Sequence, residues 1–190
     1  MKFPTSKILF LALIFSLVGS TLAQDNVDKT NPEWSSVFQR RLSSFGHRNW
    51  IVVADSAFPE YSQPGIETIT VDAELPSVLS YVVKQISASK HVRPYAFVDK
   101  ELQFVDESDY PGVSSLRKET LASFGRTGPR TILHSDALSM LADASKTYRV
   151  LIIKTKTTIP YTTVFIQLDC RYITDQIEQK IRAATTASSN

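Results

Sequence analysis

Apolar positions along the chain change period several times, and each change marks an element. From Trp34 to Phe45 the apolar positions 34, 37, 38, 42 and 45 fall on one helix face, and Gly46 stands where a C-terminal cap belongs. Trp50-Ile-Val-Val-Ala54 is continuously apolar, which suits a strand covered on both faces. Ile66 to Val71 alternates and reads as a short strand or an extended loop. Pro76 fits the first turn of a helix in which Val78, Leu79, Val82, Val83 and Ile86 repeat at helical spacing. Tyr95 to Val98 reads as another strand. A polar stretch with Pro111 and Gly112 then leads into a weaker helix over 113–124, ended by Gly125. Thr131 to His134 predicts a short strand, and Ser135 or Asp136 the cap of a helix over 137–145. Tyr148 to Ile153 and Thr163 to Leu168 complete the strands, and residues 174–190 read as an amphipathic helix running into an Ala/Thr/Ser tail.

Strands alternating with helices predict an α/β layered domain with a mainly parallel sheet flanked by helices. Sheets of that kind place ligand groups in the loops beyond strand ends. Function is therefore sought at 46–49, 55–62, 99–112, 134–137 and 156–163.

The N-terminus changes the picture of where the domain begins. Lys2 and Lys7 form a basic region, Ile8 to Val18 an apolar core, and Thr21-Leu22-Ala23 a small-residue cleavage pattern. Residues 1–23 thus read as a signal peptide, since the apolar run is far short of the roughly 20 residues of a spanning helix. Residues 24–34 read as a polar linker, 35–173 as the domain and 174–190 as a C-terminal tail. The expected location is secreted or periplasmic, with no membrane association beyond the signal peptide.

Charge adds little. The chain holds 21 Lys and Arg against 19 Asp and Glu, and loss of Lys2 and Lys7 leaves 19 against 19. That balance gives no footprint for nucleic acid. The only cysteine, Cys170, follows an apolar run and reads as a buried apolar residue. The three histidines, His47, His91 and His134, lack zinc-ligand spacing, so no metal is expected.

The stretch GHRNWIVVADSAFP (46–59) carries most of the functional signal: an imidazole precedes a buried strand and a carboxylate follows it. Together with RRLSSF before it, this stretch resembles the opening of the ribose pyranase / fucose mutarotase (RbsD/FucU-like) family. The likeness continues in Val71-Asp72 before LPSVLSYVV and in RPYAFVD. It ends in YTTVFIQL, similar to the family's Tyr-x-Asn followed by apolar residues, and spans about residues 36–173. The resemblance implies a cofactor-free sugar isomerase that opens and recloses the ring of a free pentose or deoxyhexose. It also implies a homo-oligomeric ring, commonly a decamer, with sites at subunit contacts.

Carried over by position, His47 matches the family's catalytic histidine, Asp55 its substrate-binding carboxylate and Tyr161 its motif tyrosine. The chemistry suits these types. Histidine, with an unperturbed pKa of about 6.5, moves protons near neutral pH, tyrosine donates a hydroxyl, and a carboxylate accepts from sugar hydroxyls.

The departures are as specific. The family's Asn is Thr163, and its acidic residue two after Gly-His is Asn49. A family His or Arg near the start of the last helix falls on Ala137 or Ser139, leaving His134 as the nearest imidazole. Each residue also has an ordinary use: His47 as a helix-end histidine, Asp55 as a turn former, Tyr161 as a strand residue, His134 as a strand-end histidine. A non-catalytic sugar-binding or assembly module is thus the alternative. One geometric point bears on both readings: the eight residues from His47 to Asp55 would span about 26 Å if extended. One sugar does not touch both ends of such a strand, so either the Gly46–Asn49 loop folds back beside it or the two residues serve a shared site from different subunits.

Overall fold

A computed structural model describes residues 32–188. The proposed signal peptide and most of the linker lie outside the described residues. The elements follow in the order α1 (Pro32–Ser44), β1 (Trp50–Ala54), β2 (Ile66–Thr70), α2 (Leu75–Ala88), β3 (Val92–Asp99), a 3₁₀ turn (Lys100–Phe104), α3 (Val113–Ala122), β4 (Arg130–Ile132), α4 (His134–Ala144), β5 (Val150–Lys154), β6 (Val164–Cys170) and α5 (Asp175–Ala187).

The six strands form one sheet in the order β2-β5-β1-β6-β3-β4. The pairs β2/β5, β5/β1 and β3/β4 are parallel, and β6 runs antiparallel between β1 and β3. The sheet is thus mixed and mostly parallel, with helices on both faces. On one face α1 and α2 bury Phe38, Leu42, Leu79, Val82 and Ile86 against Ile51, Val53, Leu151 and Ile153. On the other, Ala137 and Leu141 of α4 cover Trp50, Val52, Ile152 and Phe165. Alternate residues of β1 therefore serve two cores, which explains why that strand is apolar at every position. Full burial of each such side chain stabilises by roughly 1.5–3 kcal/mol.

Several boundaries differ from the sequence reading, each for a physical reason. Gly46 does not cap α1 in a left-handed conformation. It opens a tight turn in which its N–H donates to Asn49 Oδ1 at 2.8 Å, Asn49 N donates to Gly46 O at 3.2 Å, and Arg48 takes the positive φ of 73°. The carbonyls at the end of α1 are met by His91, whose Nε2 lies 3.2 Å from Leu42 O and 3.0 Å from Phe45 O. Cys170 is half-buried at the end of β6 rather than enclosed in the core.

The start of α4 is the difference that matters most. The helix begins at His134, not near 137, and β4 ends at Ile132. Neither Ser135 nor Asp136 caps it. The Glu101 carboxylate, from the 3₁₀ turn, accepts from the His134 backbone N–H at 3.1 and 3.2 Å. A cap supplied from another loop leaves no local sequence pattern.

Gly65 is needed for packing. A Cβ there would lie 2.1 Å from Ser145 O, so only glycine lets the loop before β2 pass the end of α4.

Candidate functional site

Parallel strands bring their C-terminal ends to one edge, and β6, running the other way, brings its N-terminus to the same edge. The register pairs Val53 of β1 and Val98 of β3 with Val164 of β6. Asp55, Asp99 and Thr163 follow or precede those residues by one or two positions, so they gather at the same place. His134 joins them from the first turn of α4, which follows β4.

Two of them, Asp55 and His134, line a cleft of about 410 Å³ together with Phe58, Tyr110, Pro160 and Tyr161 among others. Asp55 is held at both oxygens: Oδ1 accepts from Ala57 N at 2.9 Å and Oδ2 from Thr163 Oγ1 at 3.0 Å. Thr163 is fully buried, so it reaches the cleft only through Asp55.

His134 Nδ1 lies 2.8 Å from Asp99 Oδ2, and the Asp99 side chain is inaccessible. With the ring fixed by its Nδ1 contact, Nε2 is the nitrogen left for chemistry. Tyr161 meets the same imidazole edge-on, with ring centroids 5.6 Å apart, and holds a positive φ of 58°. That backbone conformation is unfavourable for a residue with a side chain, and such residues cluster at functional sites. Burial pushes the Asp99 carboxyl up to about 6, with Glu101 and Asp55 adding to the rise and the His134 hydrogen bond and charge opposing it.

His47 is elsewhere. It sits in the turn before β1, half-exposed, with Nε2 3.5 Å from Asp169 Oδ1 near the end of β6. Asp169 also accepts from Arg93 Nε at 2.7 Å, a cross-strand pair between β6 and β3. Six residues of strand separate Asp169 from Thr163, roughly 20 Å at the rise of a β-strand. Within one chain, His47 and Asp55 therefore lie at opposite ends of the sheet. Asn49, where a carboxylate is expected from the resemblance, closes the turn, and Asp169 places a charge beside His47 instead.

Against solved structures, the chain matches Bacillus subtilis RbsD complexed with D-ribose at a TM-score of 0.52 and 16% identity, over 70% of this chain and 92% of that one. The fold is RbsD-like. A fucose mutarotase from Streptococcus pneumoniae, in complex with L-fucose, aligns at a TM-score of 0.47 and 18% identity over 69% and 89% of the two chains. FucU from Bifidobacterium longum aligns at 0.49 and 15% over 73% and 92%. No family profile matches the sequence, and no match was found among the curated proteins.

In this RbsD-like domain Asp55, Tyr161 and His134 line one cleft, Thr163 stands behind Asp55, and His47 faces away from all four. Because α4 starts at His134, an imidazole stands in the first turn of that helix. Asp99 and Glu101 were missed by the sequence reading. A signal for Asp99 exists: VVAD and AFVD both end an apolar strand on an aspartate. Among the described residues no group of three or more His, Cys, Asp or Glu is placed to hold a metal ion. No helix among them is long and apolar enough to cross a membrane.

Proposed function

We propose that this protein is a monosaccharide mutarotase or pyranase that opens and recloses the ring of a free pentose or deoxyhexose without a cofactor. The observation that carries the reading is His134, a cleft-lining imidazole fixed through Nδ1 by the buried Asp99. In ring opening, His134 Nε2 takes the proton of the anomeric hydroxyl, the C1–O5 bond breaks, and the ring oxygen takes a proton from a second donor. The Tyr161 hydroxyl is that donor within the chain. Asp99 meets the imidazolium that forms, in the manner of a carboxylate that orients a general base. Asp55, braced by Thr163, accepts from a sugar hydroxyl. Reclosure on either face of the aldehyde returns both protons and exchanges the anomers.

His47 enters from a second copy in a ring assembly, as the resemblance implies, because its own chain holds it at the far end of β1. Residues 1–23 direct export, so the sugar pool served is outside the cytoplasm. The alternative, a sugar-binding or assembly module without catalysis, is favoured by one observation: the Thr163 hydroxyl is engaged by Asp55, so it does not replace the family's amide toward a ligand.

Saturation-difference NMR of anomeric protons across a panel of free monosaccharides tests the reading. Exchange of one sugar by the mature protein, abolished in His134→Ala, is expected. A folded, oligomeric protein that binds a sugar without exchanging it leaves the binding module.

A further inference from the structure

Tyr110 lines the cleft together with Pro160 and Tyr161, yet it comes from none of the strand ends that supply the other groups. It belongs to the segment between the 3₁₀ turn and α3, and 40% of it is exposed. An exposed aromatic on a Tyr-Pro turn is ordinary in a loose loop. This loop is not loose. Ser108 donates to Asp106 Oδ1 from both N and Oγ, at 2.8 and 2.7 Å, and Tyr110 N donates to Asp106 O at 3.0 Å. The Glu107 carboxylate accepts from Gly112 N at 2.6 Å and Ser114 N at 2.8 Å, closing the loop onto the start of α3. Those bonds hold the Glu107 carboxyl below its ordinary range. On the other side Arg117 Nη2 donates to Leu102 O at 2.9 Å and Val105 O at 3.0 Å.

A ring that lines a cleft from a loop held by two side-chain clamps is preorganised for contact. A tyrosine face offers a large amphipathic area at small cost in conformational freedom. Its natural counterpart in a cleft that Asp55 and His134 also line is the C–H face of a cyclic sugar, whose hydroxyl edge then turns toward those two groups. We propose that Tyr110 is the stacking platform for one ring face of the monosaccharide, and that Glu107 is the positioning residue that holds it there. This rests on the sugar reading above and adds a specificity-determining residue to it.

Kinetics of anomer exchange and saturation transfer, with the sugar used by the wild-type protein, test the proposal. Tyr110→Ala is expected to raise KM roughly tenfold, the size of one lost aromatic contact, with kcat within about twofold. Tyr110→Phe keeps the wild-type KM. Glu107→Gln raises KM by a smaller factor and speeds amide exchange over 107–112. An unchanged KM in Tyr110→Ala, with exchange intact, overturns the platform while leaving the mutarotase standing. Should the wild type exchange no sugar, the mutarotase fails and saturation transfer decides the platform alone. Sugar C–H signals saturated by wild type and lost in Tyr110→Ala uphold it, and their absence in both proteins overturns it.

Discussion

His134 Nδ1 and Asp99 Oδ2 lie 2.8 Å apart across the end of the sheet, one residue opening α4 and the other closing β3. The pairing fixes the imidazole in the cleft and supplies a negative charge where a proton taken up would sit. Asp99→Asn keeps the shape and removes that charge. Exchange of the substrate sugar is expected to fall by about 10²- to 10⁴-fold, the range general acid–base groups supply, with the fold intact by circular dichroism. A loss below tenfold would mean that His134 needs no charged partner.

The same carboxylate shapes the dependence of stability on pH. Asp99 titrates near 6 in the folded chain, above the 3.8 of the free side chain, because burial disfavours its charge. Between about pH 4 and 6 the unfolded chain has lost this proton while the folded chain still holds it. Fewer protons are bound unfolded, so this group makes stability fall as pH rises through that window. Urea midpoints measured from pH 4 to 7 for wild type and Asp99→Asn check the sign. The wild type is expected to lose ground relative to the variant toward pH 6, and parallel curves would refute the assignment.

Thr163 and Asp55 make a second dependence that local pattern hides. Removing the hydroxyl in Thr163→Val leaves Asp55 Oδ2 without its donor but keeps volume in a fully buried site. Sugar affinity is expected to drop about tenfold, the worth of one hydrogen bond to a charged group, with a smaller effect on kcat. Titration by NMR line shifts reads this directly, and an unaltered Kd would place Asp55 outside the binding groups.

How much of this was readable from residues depends on whether the determinant is local. The α2 repeat of Val78, Leu79, Val82, Val83 and Ile86 predicts a helix that buries those five residues, because helical spacing is a local property. The apolar run 50–54 likewise predicts the doubly covered β1. The direction of β6 was not readable, since alternation and apolarity are the same whichever way a strand runs. The start of α4 was misplaced because its cap, Glu101, lies 33 residues upstream in the chain. Asp99 carries a local signal in the strand end AFVD, but its pairing with His134 joins residues 35 positions apart and leaves no trace in that stretch. Gly-His is a compact motif that marks His47, and the length of the strand after it already sets it apart from Asp55; the sheet adds that the turn does not fold back, because His47 lies beside Asp169 at the far end of β6.

Gly65 gives a prediction about the fold alone. Gly65→Ala drives a methyl into Ser145 O, a backbone atom that cannot step aside as a side chain would. A loss of about 1–3 kcal/mol is expected in urea unfolding, the usual cost of overpacking, with sugar exchange at low temperature retained because the loop lies away from the cleft. A neutral substitution would mean that the loop before β2 shifts freely.

The separation of His47 from Asp55 can be turned into a test of assembly. If His47 serves the cleft of a neighbouring copy, His47→Ala and Asp55→Asn each remove a different half of every site. Subunits mixed and reassembled from the two variants would then regenerate some intact sites, where a cleft from the first meets a histidine from the second. Random mixing around a head-to-tail ring makes that pairing at about a quarter of the contacts. Activity near one quarter of wild type from two weakly active parents is the expected result, with light scattering showing a closed oligomer throughout. Mixing that restores nothing, from variants that do exchange subunits, would confine the site to one chain. His47 would then be a structural partner of Asp169, and His134 with Tyr161 would carry the proton transfers alone.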